Sequence, residues 1–285
     1  MRSNILFILL LVISVCSCVD TINLDLPEKD KRLVIEGLLT NQDTSYTVKL
    51  SKTSKYTYTY NASSTPEYGA TIIISDNQGN MDTLKQTSIG IYQTDPVHMR
   101  GVIGRSYKID IFTQDGKHYT STPEEMLAVP KIDSIYFERD YNDVKSGYTS
   151  YKNTIYLDWW DPGNVSNYYL HHFSYFWDQK WHDESQWNTI FNDNLFNGQH
   201  IKKYVASKEY DGKNFKVRIS RYSLSKNAYE FWNLLFQQLY PQDDGIVSTS
   251  VPLIGNLYNV KDQNDYVLGY FQISALDVKE FFIDR

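Results

Sequence analysis

Apolar and polar residues alternate with a period of two along much of the chain. Residues 32–39 (RLVIEGLL) and 46–50 (YTVKL) carry the pattern, and 70–74 (ATIII), 89–92 and 105–112 (RSYKIDIF) read as further strands. Such alternation is the signature of half-buried strands. The turn chemistry between them agrees. Residues 76–80 (DNQGN) form a strong turn, and the Asp115-Gly116 step joins 109–112 to 118–121 as a hairpin. Residues 53–64 are polar and Tyr-rich and read as a long loop or an exposed edge. Short strands with turns at this spacing predict a β-sandwich over residues 32–126.

Residues 123–130 (PEEMLAVP) break the alternation and mark an expected boundary. Beyond it, 132–138 and 154–159 predict strands, followed by a turn at Asp161-Pro162-Gly163-Asn164. Residues 168–181 are aromatic on both faces and predict one long strand covered on each side. Further strands are expected at 215–219, 267–274 and 281–283. One segment has helical periodicity instead. Leu224, Ala228, Phe231, Leu235 and Leu239 form a single apolar stripe, widened by Trp232. Ser223 or Ser225 supplies an N-cap and Pro241 an end. The second domain, 131–285, is therefore β-rich with one amphipathic helix near 224–239.

Composition narrows the functions open to such a chain. Among 285 residues the net charge is -6, which argues against a nucleic-acid partner, since such proteins need concentrated Lys and Arg. The two cysteines, Cys16 and Cys18, both lie near the N-terminus, so the body has no disulfide, thiol nucleophile or Cys-based metal site. There are 24 tyrosines, which suit strands and sugar- or peptide-binding surfaces.

The densest chemical feature is an aromatic cluster. Trp159, Trp160, Trp181 and Trp187 are candidate ligand-binding residues, with Trp177 and several Tyr and Phe among them. Most of these rings read as core. Trp181 and Trp187 lie in the polar stretch DQKWHDESQWN and read as the more exposed pair. His171 and His172 are adjacent, so on a strand they face opposite sides. No metal-ligand spacing or cofactor fingerprint is present, and none is expected to bind. Asp158 and Asp161 flank two Trp but carry no sequence evidence of the spacing a glycosidase needs. Asp243-Asp244-Gly245 reads as a turn. No catalytic residue is assigned.

The N-terminus reads as an address. Arg2 precedes an apolar run at residues 5–13 (ILFILLLVI), too short for a membrane span. The run ends in Val15-Cys16-Ser17-Cys18, which resembles a bacterial lipobox. The resemblance implies a signal peptide over 1–17, cleavage before Cys18, and lipidation of that thiol. Residues 18–31 are polar and acidic and read as a tether.

The order of motifs extends this resemblance. Residues 22–28 (INLDLPE), 32–37 (RLVIEG) and 46–51 (YTVKLS) resemble the opening of domain-of-unknown-function family 4249. Gly90-x-Tyr92, Arg100-Gly101-x-x-Gly104-x-x-Tyr107, Asp115-Gly116-x-x-Tyr119-x-Ser121, and Leu268-Gly269-Tyr270-Phe271 continue it. The Gly90-x-Tyr92 step is also similar to that of transthyretin-like modules, so the first domain is expected to be immunoglobulin- or transthyretin-like. The resemblance implies a Bacteroidota lipoprotein, anchored in the outer membrane by its lipid and facing the cell surface. It implies a TonB-dependent receptor as partner and an accessory, non-enzymatic role; the many Tyr and Trp suit a peptide or glycan nutrient as the captured ligand. The alternatives are a structural or adhesion role in the envelope and a surface glycan hydrolase.

Overall fold

The computed structural model describes residues 31–54, 65–143, 149–184, 188–210, 215–240 and 251–283. The signal, Cys18, most of the tether, Trp187, Pro241 and the Asp243-Asp244 turn lie outside the described residues. The described chain is mostly β. In the first half run β1 (Leu33–Thr40), β2 (Thr47–Lys52), β3 (Thr65–Pro66), β4 (Thr71–Asp76), β5 (Met81–Thr83), β6 (Lys85–Ser88), β7 (Ile91–Gln93), β8 (Ser106–Phe112), β9 (His118–Ser121) and β10 (Glu124–Glu125). In the second run β11 (Ser134–Asp143), β12 (Thr149–Trp160), β13 (Tyr168–Trp177), β14 (Lys180–Asp183), β15 (Thr189–Asn192), β16 (His200–Tyr210) and β17 (Phe215–Leu224). Helix α1 (Lys226–Leu239) and strands β18 (Ile254–Asn259), β19 (Tyr266–Ser274) and β20 (Leu276–Ile283) follow. Among the described residues no helix is long and apolar enough to cross a membrane.

The first sheet has the order β5-β4-β8-β9-β18-β19-β1-β2-β7-β6. Its two outer strands, β5 and β6, are separated in sequence by Leu84 alone. Leu84 is buried and its N–H donates to the Ile72 carbonyl at 2.9 Å, so the sheet curls almost into a closed barrel. Closure protects the strand edges that an open sheet would expose. Its core is aliphatic, built from Leu33, Ile35, Val48, Ile72, Ile74, Ile109 and Ile111 with Tyr92, Tyr107 and Phe271.

The expected boundary near residue 126 does not separate the sheets. Strands β18 and β19, from the far end of the sequence, sit between β9 and β1, and β1 pairs with β19 in parallel. Residues Lys31–Arg285 accordingly form one compact unit. The remaining strands make a second sandwich. A three-stranded sheet, β11-β12-β16, faces a five-stranded one in which β13 and β17 are central. Between them pack Ile155, Leu157, Trp159, Tyr169, Phe173, Phe191, Val217 and Ile219.

The single strand expected at 168–181 is a hairpin. Asp178 and Gln179 both take positive φ, 48° and 61°, and turn the chain so that β14 pairs back on β13. Two consecutive left-handed residues fit the twist of a two-residue hairpin, although neither is the usual Gly. Helix α1 matches the apolar stripe. Ser225 is the N-cap and its Oγ accepts the Ala228 N–H at 3.1 Å. Leu224 belongs to β17 instead, and Leu239 is exposed.

The quoted family motifs sit at fold-determining points. Gly101 N–H donates to Thr40 O at 2.9 Å, Gly104 N–H to Met126 O at 3.0 Å, and Val102 N–H to the buried Tyr107 hydroxyl at 2.8 Å. Arg100 Nε donates to Asn41 O at 2.9 Å. This loop therefore closes over the end of β1.

Candidate functional site

On β1, Leu33, Ile35 and Leu39 point into the barrel core, which leaves Val34, Glu36 and Leu38 outward. On β19, Val267, Phe271 and Ile273 point inward and Leu268, Tyr270 and Gln272 outward. A solvated outer face carries mainly polar side chains. Here much of it is apolar, because a second layer approaches it. That layer is the outer face of the five-stranded sheet, through Leu170, His172 and Tyr222, together with α1 through Phe231, Trp232 and Leu235. Between them lies a cleft of about 760 Å³, completed by Asn188, Gln238 and residues 251–253. Its size falls within the range of roughly 300–1,000 Å³ usual for small-ligand sites.

Polar atoms on the cleft wall are largely engaged with one another. Trp232 Nε1 donates to Gln272 Oε1 at 2.7 Å, and Gln272 Nε2 donates to Ser274 Oγ at 2.7 Å. Gln238 Nε2 donates to Val251 O at 2.7 Å. Tyr270 donates its hydroxyl proton to Glu124. Burial holds the His172 pKa below its ordinary value, against a weaker pull from Asp183, and pushes Tyr222 and Tyr270 upward. Those three groups are neutral at pH 7. Glu36 is the exposed acid on the lining, with Lys49 Nζ 3.4 Å away across the strand pair.

Glu124 lies directly behind Tyr270. It is 6% exposed and accepts a second proton bond from Ser225 Oγ at 3.1 Å. Burial raises its pKa above the ordinary value, and the hydrogen bonds from Tyr270 and Ser225 only partly offset this. One carboxyl group thus links the cleft wall to the N-cap of α1.

The aromatic candidates are not gathered into one site. Trp159 is fully buried between the two sheets of the sandwich, so it is a core ring and unavailable for stacking on an outside ligand. Arg221, also fully buried, lies over it at 3.9 Å and donates from Nε to His171 Nε2 at 3.0 Å. Burial lowers the Arg221 pKa to about 10, so it remains a cation at pH 7. Trp160, the next residue, faces the other way. It is 66% exposed and stacks on His200 with centroids 4.7 Å apart. Trp181, expected among the more exposed rings, is only part-exposed: it lies on β14, at the edge of the other sheet, beneath the Arg218 guanidinium at 3.8 Å, and among the described Trp residues Trp160 and Trp177 are the exposed rings instead.

His171 and His172 do point to opposite faces, one to the sandwich core and one to the cleft. The two aspartates beside the Trp pair also diverge. Asp158 contacts His200 on the outer face. Asp161 is buried, accepts from the Tyr169 hydroxyl at 3.1 Å, and has its pKa raised by burial and by neighbouring Asp193. Among the described residues no group of three His, Cys, Asp or Glu is placed to hold a metal ion.

Sequence reasoning missed the cleft. A signal was present. Residues 33–39 and 267–271 are apolar on both faces, which marks strands covered twice, and the helical stripe needs an apolar surface to meet. What the periodicity leaves out is which surface that is.

These features define a mostly β protein with a nearly closed barrel, a second sandwich, and an apolar cleft between them roofed by one helix. The family model for a domain of unknown function, DUF4249, matches residues 19–280, and the chain belongs to that family. No match was found among curated proteins.

Proposed function

We propose that this chain is a lipoprotein of the Bacteroidota outer membrane, anchored through Cys18 and facing the cell surface. There it acts as a non-enzymatic partner of a TonB-dependent receptor and captures a nutrient, a peptide or a glycan, for import. The observation that carries the binding role is the cleft. Its volume suits a small ligand, and several of its wall polar groups, those of Trp232, Gln272 and Gln238, are held by hydrogen bonds within the protein, which favours a preformed shape. The Val15-Cys16-Ser17-Cys18 motif supports the anchor, and the family match begins at residue 19, directly after that cysteine. Several acyl chains give durable anchoring, because each buried CH₂ contributes about 0.8 kcal/mol. Anchoring beside a receptor raises the effective concentration of binder, so modest contacts suffice for capture.

The test is affinity purification of the tagged protein from native outer membrane in mild detergent, with partners quantified by mass spectrometry. A TonB-dependent receptor in near-equal amount is expected. Recovery of the lipoprotein without a receptor would refute the partnership.

A further inference from the structure

We infer that the cleft takes an apolar peptide segment flanked by cationic residues, an inference that rests on the capture reading above. Two observations carry it. The first is the chemistry of the walls. Val34, Leu38, Leu170, Leu235 and Leu268 present aliphatic surface, and Phe231 and Trp232 add rings. Several wall polar atoms are committed to internal partners: those of Trp232, Gln272, Tyr270 and Gln238. A glycan would bring many hydroxyls against these walls and leave them without partners, which is unfavourable for each one buried. Apolar side chains lose nothing there.

The second observation is charge. Among the described residues no Lys or Arg lines the cleft. Burial keeps His172 and Tyr222 neutral at pH 7, so among the described lining residues Glu36 carries the charge. Asp183 lies 3.8 Å from His172 Nε2 and adds a second carboxylate nearby. The opposing cation is Lys49, on β2 outside the lining. A fatty acid or a phosphate-bearing lipid would meet no cation on the described lining and would face Glu36, which already holds Lys49. A Lys or Arg beside the apolar segment gains that carboxylate at the rim, and the faces of Trp232 and Phe231 favour cations as well.

The experiment uses the full-length protein in lipid nanodiscs and isothermal titration calorimetry. The probes are three blocked pentapeptides with a Leu-Phe-Leu centre, flanked on both sides by Lys, by Gln or by Glu. The Lys-flanked peptide is expected to bind about five-fold more tightly than the Gln-flanked one, with the Glu-flanked peptide weakest, and added salt is expected to compress the order. Glu36→Lys should invert the ranking. Glu36→Gln, which does not set a second cation against Lys49, should level it. Equal binding of all three peptides to the parent protein, or tightest binding of the Glu-flanked one, would overturn the inference. If no peptide binds while a receptor still co-purifies from the membrane, the peptide assignment fails and the capture partnership stands. If peptides bind in the expected order but no receptor is recovered, the cleft chemistry holds and the partnership falls.

Discussion

Three alanine substitutions at glycines separate backbone strain from steric conflict at the wall of the cleft. Gly269 has φ +82°, and a Cβ built there would lie 1.9 Å from the Ile35 carbonyl oxygen, across the parallel β1–β19 pair. Gly255 would place a Cβ 1.5 Å from the Gly269 oxygen. Gly79, in the exposed turn between β4 and β5, has φ +87° and nothing within 4 Å. Gly79→Ala therefore meets the conformational penalty alone, about 1–2 kcal/mol. Gly255→Ala meets the steric conflict alone, and Gly269→Ala meets both. Backbone atoms cannot step aside as a flexible side chain can. Relief requires opening the β18–β19–β1 ladder, where each lost hydrogen bond costs about 1 kcal/mol. The sum for Gly269→Ala is roughly 3–5 kcal/mol, a large share of the 5–15 kcal/mol typical of a folded domain. At about 2–4 °C per kcal/mol for a domain of this size, the midpoint falls by ~10 °C, against ~3 °C for Gly79→Ala. Thermal and urea unfolding followed by near-ultraviolet circular dichroism measure both. A Gly269→Ala protein no less stable than Gly79→Ala would refute the close approach of these three strands and, with it, the shape of the cleft wall.

Further expectations concern the core, the buried acid and the anchor. Trp159→Ala removes a fully buried ring and should destabilise by ~3–5 kcal/mol, whereas Trp160→Ala, on the exposed face, should stay within ~1 kcal/mol in the same unfolding assay. Comparable losses for both would place the core incorrectly. Glu124 titrates above its ordinary value of 4.5, so the folded state holds its proton more tightly than the unfolded chain. Its contribution to stability is full below the unfolded pKa and is lost as pH rises through the folded one. Glu124→Gln should therefore be relatively more stable at pH 7 than at pH 4 when compared with the parent; a pH-independent difference in urea midpoints would contradict the assignment. Cys18→Ala should move the protein from the membrane pellet to the soluble fraction and abolish labelling by radioactive palmitate, and retention of label would place the lipid elsewhere.

Several strands were legible from alternation, and others from short apolar runs bounded by turn residues. Residues 105–112 and 118–121 with their Asp115-Gly116 turn are a hairpin by pattern and by structure. The helix was legible from the stripe at Ala228, Phe231 and Leu235. The pairing of distant strands was not. Nothing local in 267–274 says that it lies parallel to 33–40, since alternation sets which face a residue takes and leaves its neighbour strand open. The turn at Asp178-Gln179 was hidden for a related reason: it lacks glycine, and the aromatic run continues on both sides of it. Trp159 and Trp160 show the same limit in the candidate site. Adjacent and identical in type, they are separated by the pleat into a core ring and an exposed one. The cleft arises where two outer faces meet, so only the tertiary arrangement reveals it.

Native mass spectrometry of the complex released from the outer membrane tests the central claim most directly. The predicted particle has the mass of one TonB-dependent receptor plus one copy of this chain beginning at Cys18 and carrying its acyl chains. A particle with the mass of the chain alone, without acyl chains or receptor, would contradict both the anchor and the partnership.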